Sequence, residues 1–237
     1  MNIIVTGASR GIGYETVRSL AGRSGMKILA IARSMKDLKE LKLSCAELPS
    51  GNEVEVMSAD LSESAKLKNH IIPSICGMFD RLDILVNNAG YLVNKPFNLV
   101  EEEELEMTMR VNFIVPWLLI QSLTGLLEKS GKSHVVNISS IGGIQGSLKF
   151  PGLSAYSSAK GALGILTECL AAELADKHIS FNCLALGSVQ TEMFSRAFPD
   201  YTAQLKPHEI SSFIADFALN GNKYFNGKIL PVSVSTP

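Results

Sequence analysis

Short apolar runs alternate along this chain with longer stretches whose apolar residues recur at helical spacing. Ile3 to Thr6 reads as a buried strand, Gly11 to about Arg23 as a helix, and Lys27 to Ala32 as a second strand. A charged helix follows from Ser34 and ends near Pro49. Val54 to Ser58 is a third strand, interrupted by polar Glu55. The next helix covers roughly Ser62 to Met78, where Pro73 should kink or interrupt it. Leu82 to Asn87 is a fourth strand. Glu101 to Glu104 place acids in the first turn of a helix, at the positive end of its dipole. That helix runs through Asn112 and past Pro116 towards Lys129. His134 to Ser139, Ile179 to Leu184 and Lys228 to Val232 read as three more strands. Helices over Ala155 to about Lys177 and near His208 to Leu219 fill the intervals.

Strand and helix alternate throughout, so the pattern predicts a doubly wound, Rossmann-like parallel sheet of about seven strands with helices on both faces. Neither a repeat nor a linker divides the chain, so 1–237 is expected to form a single domain. Ligands of such a sheet lie at the carboxyl ends of the strands.

Composition narrows the partners. The formal net charge is -1, so no global basic field draws nucleic acid or an anionic membrane. The start MNIIVTGASRGIG runs straight into a strand and lacks the features of a secretory signal. Continuous apolar runs are shorter than the ~20 residues that span a bilayer. A cytoplasmic protein without membrane or nucleic-acid partners is expected. Cys45, Cys76, Cys169 and Cys183 form no Cys-x-x-Cys pair, and no histidine sits at ligand spacing from them, so reduced thiols and no metal site are expected.

The first strand meets the first helix at Thr6-Gly7-Ala8-Ser9-Arg10-Gly11-Ile12-Gly13. Gly7 allows a tight exit from the strand, Gly11 lets backbone approach a pyrophosphate, and Gly13 lets helix pack close to sheet. The helix N-terminus offers its unpaired N–H groups to the phosphates. The glycines fall as G-x-x-x-G-x-G, and no Gly-Lys-Ser/Thr follows, which argues against a nucleoside triphosphatase loop.

With these residues the chain resembles the short-chain dehydrogenase/reductase family in its single-domain form. Gly7, Gly11 and Gly13 match its cofactor turn, Asp60-Leu61 its adenine-side acid, and Asn87-Asn88-Ala89-Gly90 its motif after the fourth strand. Asn112, Ser140, Tyr156 and Lys160 fall in the order of its catalytic residues. The resemblance implies carbonyl–alcohol interconversion with a nicotinamide cofactor. It places Gly7, Ser9, Arg10, Gly11, Ile12, Gly13, Arg33, Asp60, Leu61, Asn87, Ala89, Gly90, Tyr156, Lys160, Gly187, Val189 and Thr191 around that cofactor. Lys160 would contact the nicotinamide ribose, and Asn112 would hold a water against the lysine.

Tyr156 and Lys160 lie four apart on one helix face, and Ser139-Ser140 end the preceding strand. A free tyrosine has a pKa of ~10, too high for easy exchange at neutral pH. Lowering it by about three units takes roughly 4 kcal/mol, which a cation at ~4 Å in an effective dielectric of about 20 supplies. Lys160 is the candidate cation. Ser140 would orient the substrate oxygen, with Ser139 as the alternate.

Further residues tune the reading. The second strand ends Ile31-Ala32-Arg33, with Ala32 where an NAD site places an acid. Arg33 can offer its donor fork to the extra phosphate of NADPH, and Arg10 can approach from the other side. Thr191 and the Val189 backbone could bond the carboxamide. Leu186 stands where the family usually has proline. The segment from Ser140 to Tyr156 is about three residues longer than the commonest family pattern, and the excess, within Gly146 to Leu153, is expected beside the substrate. Phe150, Phe194, Phe198 and Tyr201 hint at an apolar wall there, although core packing accounts for any one of them equally well. The end Pro231-Val-Ser-Val-Ser-Thr-Pro237 lacks the family's usual acid and paired glycines, a region that often contributes to assembly. A homo-oligomer, dimer or tetramer, is expected. The leading function is NADPH-dependent reduction or oxidation of a small carbonyl or alcohol, a 3-oxoacyl thioester being one narrower case. Rival readings are a nucleotide-binding redox sensor without turnover and an epimerase or dehydratase on a nucleotide sugar. Intact Tyr156, Lys160, Ser140 and Asn112 argue against the sensor. Only some 40 residues after Thr191 argue against the sugar enzyme.

Overall fold

A computed structural model describes residues 1–234; the last three residues of the C-terminal departure, 235–237, lie outside the described residues. Seven strands form one parallel sheet: β1 (Asn2–Thr6), β2 (Lys27–Ala32), β3 (Glu53–Ser58), β4 (Ile84–Asn87), β5 (Ser133–Ser140), β6 (Ile179–Leu186) and β7 (Lys228–Val232). Their spatial order is β3-β2-β1-β4-β5-β6-β7. The order reverses between β1 and β4, which opens a crevice at their carboxyl ends.

Successive strand side chains point to opposite faces, and both faces are covered. Ile3, Val5, Ile28 and Ala30 join Val17, Leu20, Leu38 and Ile214 in one core. These come from α1 (Gly11–Ala21), α2 (Met35–Ala46) and, later in the chain, α9 (Pro207–Asn220). Ile4, Leu29 and Leu85 face the other side, against Ile75, Leu119, Leu123 and Phe181. That face is covered by α4 (Ile72–Met78) and α6 (Val115–Lys129), which follow α3 (Ser64–Lys66) and α5 (Glu102–Met109) in the chain. The long α7 (Ser154–Glu173) packs on β5 and β6, and the short α8 (Glu192–Ala197) follows β6.

The helices that carry Pro73 and Pro116 widen in the same way. Pro73 and Pro116 are each the second residue of a helix, and a π-turn precedes each, over Leu67–Ile71 and Arg110–Ile114. Proline has no N–H and its ring crowds the carbonyl four residues back, so the helix widens there instead of breaking. Glu101 and Glu104 close a capping box at the start of α5.

Some boundaries differ from the sequence reading. β6 runs two residues beyond Leu184, because Leu186 has no proline ring to end its pairing with Val232. α8 has no counterpart among the helices expected from the sequence; Thr191 begins it by accepting the Phe194 N–H. By length and composition, Glu102–Lys129 is apolar enough to cross a bilayer, contrary to the reading of its interrupted apolar runs. Its bend and its buried Leu119, Leu123 and Leu127 put that apolar side into the core.

Phe181 is fully buried at the middle of β6. Phe181→Ala is expected to destabilise the chain by about 3–5 kcal/mol, read as a lowered urea midpoint.

Candidate active site

A cleft of ≈ 820 Å³ opens along the carboxyl ends of the strands. Its floor between β1 and β4 is stapled by two side chains. Thr6 Oγ1 accepts the Asn88 and Ala89 N–H groups, each at 3.1 Å. Asn88 Nδ2 donates to the carbonyls of Thr6, at 2.9 Å, and Gly7, at 3.2 Å. Gly7 turns at φ +69°, and a Cβ there would sit 2.7 Å from Ala89 Cα. Gly13 has no room for a Cβ against the Gly7 carbonyl and Asn88. These contacts seat the start of α1 on the cleft. Its cap residue, Arg10, makes no side-chain cap, and no acid occupies the first turn. An uncapped helix N-terminus facing a cleft suits a pyrophosphate.

Ser9, Arg10, Gly11 and Ile12 line the cleft with Gly7 and Gly13, and Arg33, Asp60, Leu61, Ala89 and Gly90 line it further along. Asp60 accepts the Ser62 N–H at 2.9 Å and hydroxyl at 2.7 Å. Burial opposes the Asp60 charge, but Ser62, with Arg33 and Lys66 nearby, holds its carboxyl below the usual range. Two of the expected residues are already bonded to protein partners. Asn87 is buried and donates to Asn137 Oδ1 at 2.8 Å, so its neighbour Asn88 is the asparagine that faces the cleft. The period-two alternation of β4 decides which of the pair points inward. Arg10 pairs with Glu192 at 2.7 Å, and Arg196 bonds the same carboxylate, so its guanidinium is engaged across the cleft mouth.

The side chains expected to react come from the end of β5 and the first turns of α7. Ser140 and Tyr156 line the cleft with Lys160. Ser140 Oγ accepts the Gly142 N–H at 3.3 Å. Ser139 is not its substitute: its Oγ donates to the Lys160 carbonyl at 2.8 Å and ties strand to helix. A Cβ on Gly143 would lie 2.7 Å from both Gly161 N and Lys160 C, so bare glycine backbone lets α7 press against the turn after β5. Lys160 is almost fully buried, and its Nζ donates to the Ile138 carbonyl at 2.8 Å.

The tyrosine departs from the expectation of a lowered pKa. Burial pushes the Tyr156 phenol up to about 12. Burial pushes Lys160 down to about 8, with nearby Cys183 opposing. The ammonium stands 5.7 Å from the phenol ring centroid and faces a carbonyl, so desolvation outweighs its pull on the phenol. Tyr156 therefore keeps its proton through neutral pH, as a donor must.

Asn112 does not line the cleft. It lies in the π-turn, where Nδ2 donates to the carbonyls of Tyr91 at 2.6 Å and Thr108 at 2.8 Å, and Oδ1 accepts the Tyr91 N–H at 3.3 Å. Its side chain fastens the segment after β4 to the helix bend, which makes it a positioning residue. Gly187, Val189 and Thr191 line the cleft. The Val189 carbonyl accepts the Thr191 N–H at 2.7 Å, and Thr191 Oγ1 caps α8. Tyr91, Leu92, Asn94, Met107, Val111, Ile141 and Met193 also line it, none of them singled out from sequence.

A phosphate-suited helix start beside a Tyr–Lys pair is the arrangement of a nicotinamide-dependent oxidoreductase. The family model described as short chain dehydrogenase matches residues 1–202. A tropinone reductase homolog from Datura stramonium is 30% identical over 250 residues, 98% of this chain and 90% of that protein. A fatty acyl-CoA reductase from Acinetobacter baylyi is 28% identical over 214 residues, 89% of this chain and 70% of that one. A solved structure from Beutenbergia cavernae with bound NADP at low occupancy has a TM-score of 0.87 and 27% identity, covering 98% of this chain and 94% of that one. The chain belongs to the short-chain dehydrogenase/reductase family of oxidoreductases, which act on alcohol and carbonyl groups with a nicotinamide cofactor.

Lys160 carries a pH signature. Its folded pKa, about 8, lies below its ordinary 10.5, so above pH 8 the unfolded chain binds more protons and stability rises with pH. The Cys183 thiol, raised from 9.0 to about 11 by burial, opposes this from pH 9 upward. Between pH 8 and 9 stability should rise by about 1 kcal/mol. Lys160→Met should abolish the rise in urea unfolding at the two pH values.

Proposed function

We propose that the chain is an NADPH-dependent oxidoreductase that interconverts a carbonyl and an alcohol by hydride transfer, with Tyr156 as acid/base. The observation that carries this reading is that one cleft holds both the uncapped start of α1 and the Ser140, Tyr156 and Lys160 side chains. When bound, the nicotinamide cofactor supplies or accepts the hydride. The protein's own part is positional and protonic. Ser140 orients the substrate oxygen, and Tyr156 gives its proton to that oxygen as negative charge develops. The Lys160 cation then stabilises the phenolate left behind. Asn112 acts through the backbone of Tyr91 and Thr108 rather than on the reacting atoms.

The preference for NADPH rests on Arg33, which lines the cleft beside buried Ala32 where an acid would repel the phosphate. Arg10 can contribute only by leaving Glu192. We also propose a homo-oligomer, dimer or tetramer, supported by Leu105, Trp117 and Ile165, which are exposed on α5, α6 and α7. A cytoplasmic location suits the four free cysteines.

Tyr156→Phe should lower turnover by about 10²–10⁴-fold with little change in cofactor affinity; near-full turnover would refute the acid/base role. Arg33→Ala should weaken NADPH by ~10- to 100-fold and NADH much less, read by titrating both cofactors. Equal wild-type affinity for the two cofactors would refute the NADPH preference.

A further inference from the structure

The cleft changes character along its length. Its charged lining residues are Arg10, Arg33, Asp60, Lys160 and Glu192. Arg33 and Asp60 follow β2 and β3 at the far end, Arg10 and Glu192 neutralise each other, and Lys160 is turned to the Ile138 carbonyl. Beyond Tyr156 the lining is apolar: Leu92, Met107, Val111, Phe150, Phe194 and Phe198. These side chains are not sealed in the core. Phe150 is 49% exposed and Met107 37%, while Phe194 and Phe198 are half-buried. Phe194, Phe198 and Tyr201 form a ladder of rings, with centroids 5.1 Å and 6.5 Å apart. Solvent-facing apolar area inside a cleft is area that a ligand can cover.

The wall is assembled by three segments held to one another. Asn94 Nδ2 donates to the Ala197 carbonyl at 2.6 Å, and Lys95 N donates to the Gly152 carbonyl at 3.1 Å. The 91–95 segment thus grips both the inserted 146–153 loop and the end of α8. The first of those bonds uses one N–H of the Asn94 amide. Apart from Ser140 and Tyr156, which serve the reacting oxygen, the polar side chains of the described lining at this end are Asn94 and the hydroxyls of Tyr91, Ser188 and Tyr201. These few groups leave most hydroxyls of a polyol without partners, and every cation of the described lining stands at the far end or is already bonded.

We infer that the substrate is an uncharged carbonyl compound with a bulky apolar body, which lies against Phe150, Phe194 and Phe198 while its oxygen meets Ser140 and Tyr156. This rests on the oxidoreductase reading above and adds the chemical class of the substrate. Specificity is then set by apolar contact and by the absence of partners for charge, since a site rejects a group whose hydrogen bonds it cannot replace.

The test uses three cyclohexanones that carry a propyl, a hydroxyl or a carboxylate group para to the carbonyl. The reacting ketone is the same in each. Calorimetry measures binding to the protein with NADP(H), and NADPH absorbance measures turnover. The propyl compound should bind and turn over about 10- to 100-fold better than either polar one. Phe194→Ser should narrow that gap, and Phe150→Ser, on an exposed loop, should do so if the first variant fails to fold. Equal or tighter binding of the hydroxyl or carboxylate compound overturns the inference, as does no binding of any of the three. Binding of the propyl compound without turnover upholds it and counts against the oxidoreductase reading instead.

Discussion

The site depends on how closely α7 presses against the end of β5. Gly143 and Gly161 meet with no side chain between them. Ser139 reaches across to the Lys160 carbonyl, and Lys160 reaches back to the Ile138 carbonyl. These two bonds run in opposite directions between one strand and one helix turn, so they fix translation as well as separation. Tyr156 lies one turn earlier on the same helix, and its phenol makes no hydrogen bond among the described residues. Its position relative to Ser140 is inherited from the strand–helix contact.

The two ends of the cleft are built by different means. At the phosphate end, backbone does the recognising, and the constraint is space: Gly7, Gly13 and Asn88 crowd so closely that side-chain choice is narrow. At the substrate end, side chains on three connecting segments supply the surface, and Asn94 holds them together through bonds to backbone. Substitutions of the wall residues leave those backbone bonds intact. A fold organised this way can change its substrate without disturbing the turn that binds its cofactor.

Much of this was legible in the sequence because period and spacing encode it. The strand runs, the glycine turn and the Tyr156–Lys160 pair each follow a local rule, and all seven strands were placed within a few residues. What escaped depends on long-range partners. Nothing in Asn87-Asn88 says which amide meets Asn137 until the register with β5 is known. Arg10 meets a carboxylate 182 residues away, so its pairing has no local signal. The bonds of Asn112 to the Tyr91 and Thr108 carbonyls likewise depend on a helix bend and a neighbouring segment that its residue type does not announce. α8 had a usable signal, a threonine cap ahead of Glu192-Met193-Phe194, but six residues give little periodicity to read.

Burial also reorders the protons of the reacting pair. In water the phenol loses its proton slightly before the ammonium; here Tyr156 is pushed up to about 12 and Lys160 down to about 8. The shared cause is desolvation, which penalises phenolate and ammonium alike. Left to themselves, the two groups favour neutral tyrosine, so no phenolate waits to be quenched by solvent. Lys160, at about 8, still carries its proton at neutral pH; a phenolate formed beside it raises the lysine's affinity for that proton, and the ammonium in turn steadies the phenolate. An oxygen gaining negative charge within reach of Tyr156 supplies the driving force that the resting pair lacks. In the proposed reaction this burial would couple the tyrosine's proton to the developing alkoxide, because a phenolate without a charged partner is disfavoured there.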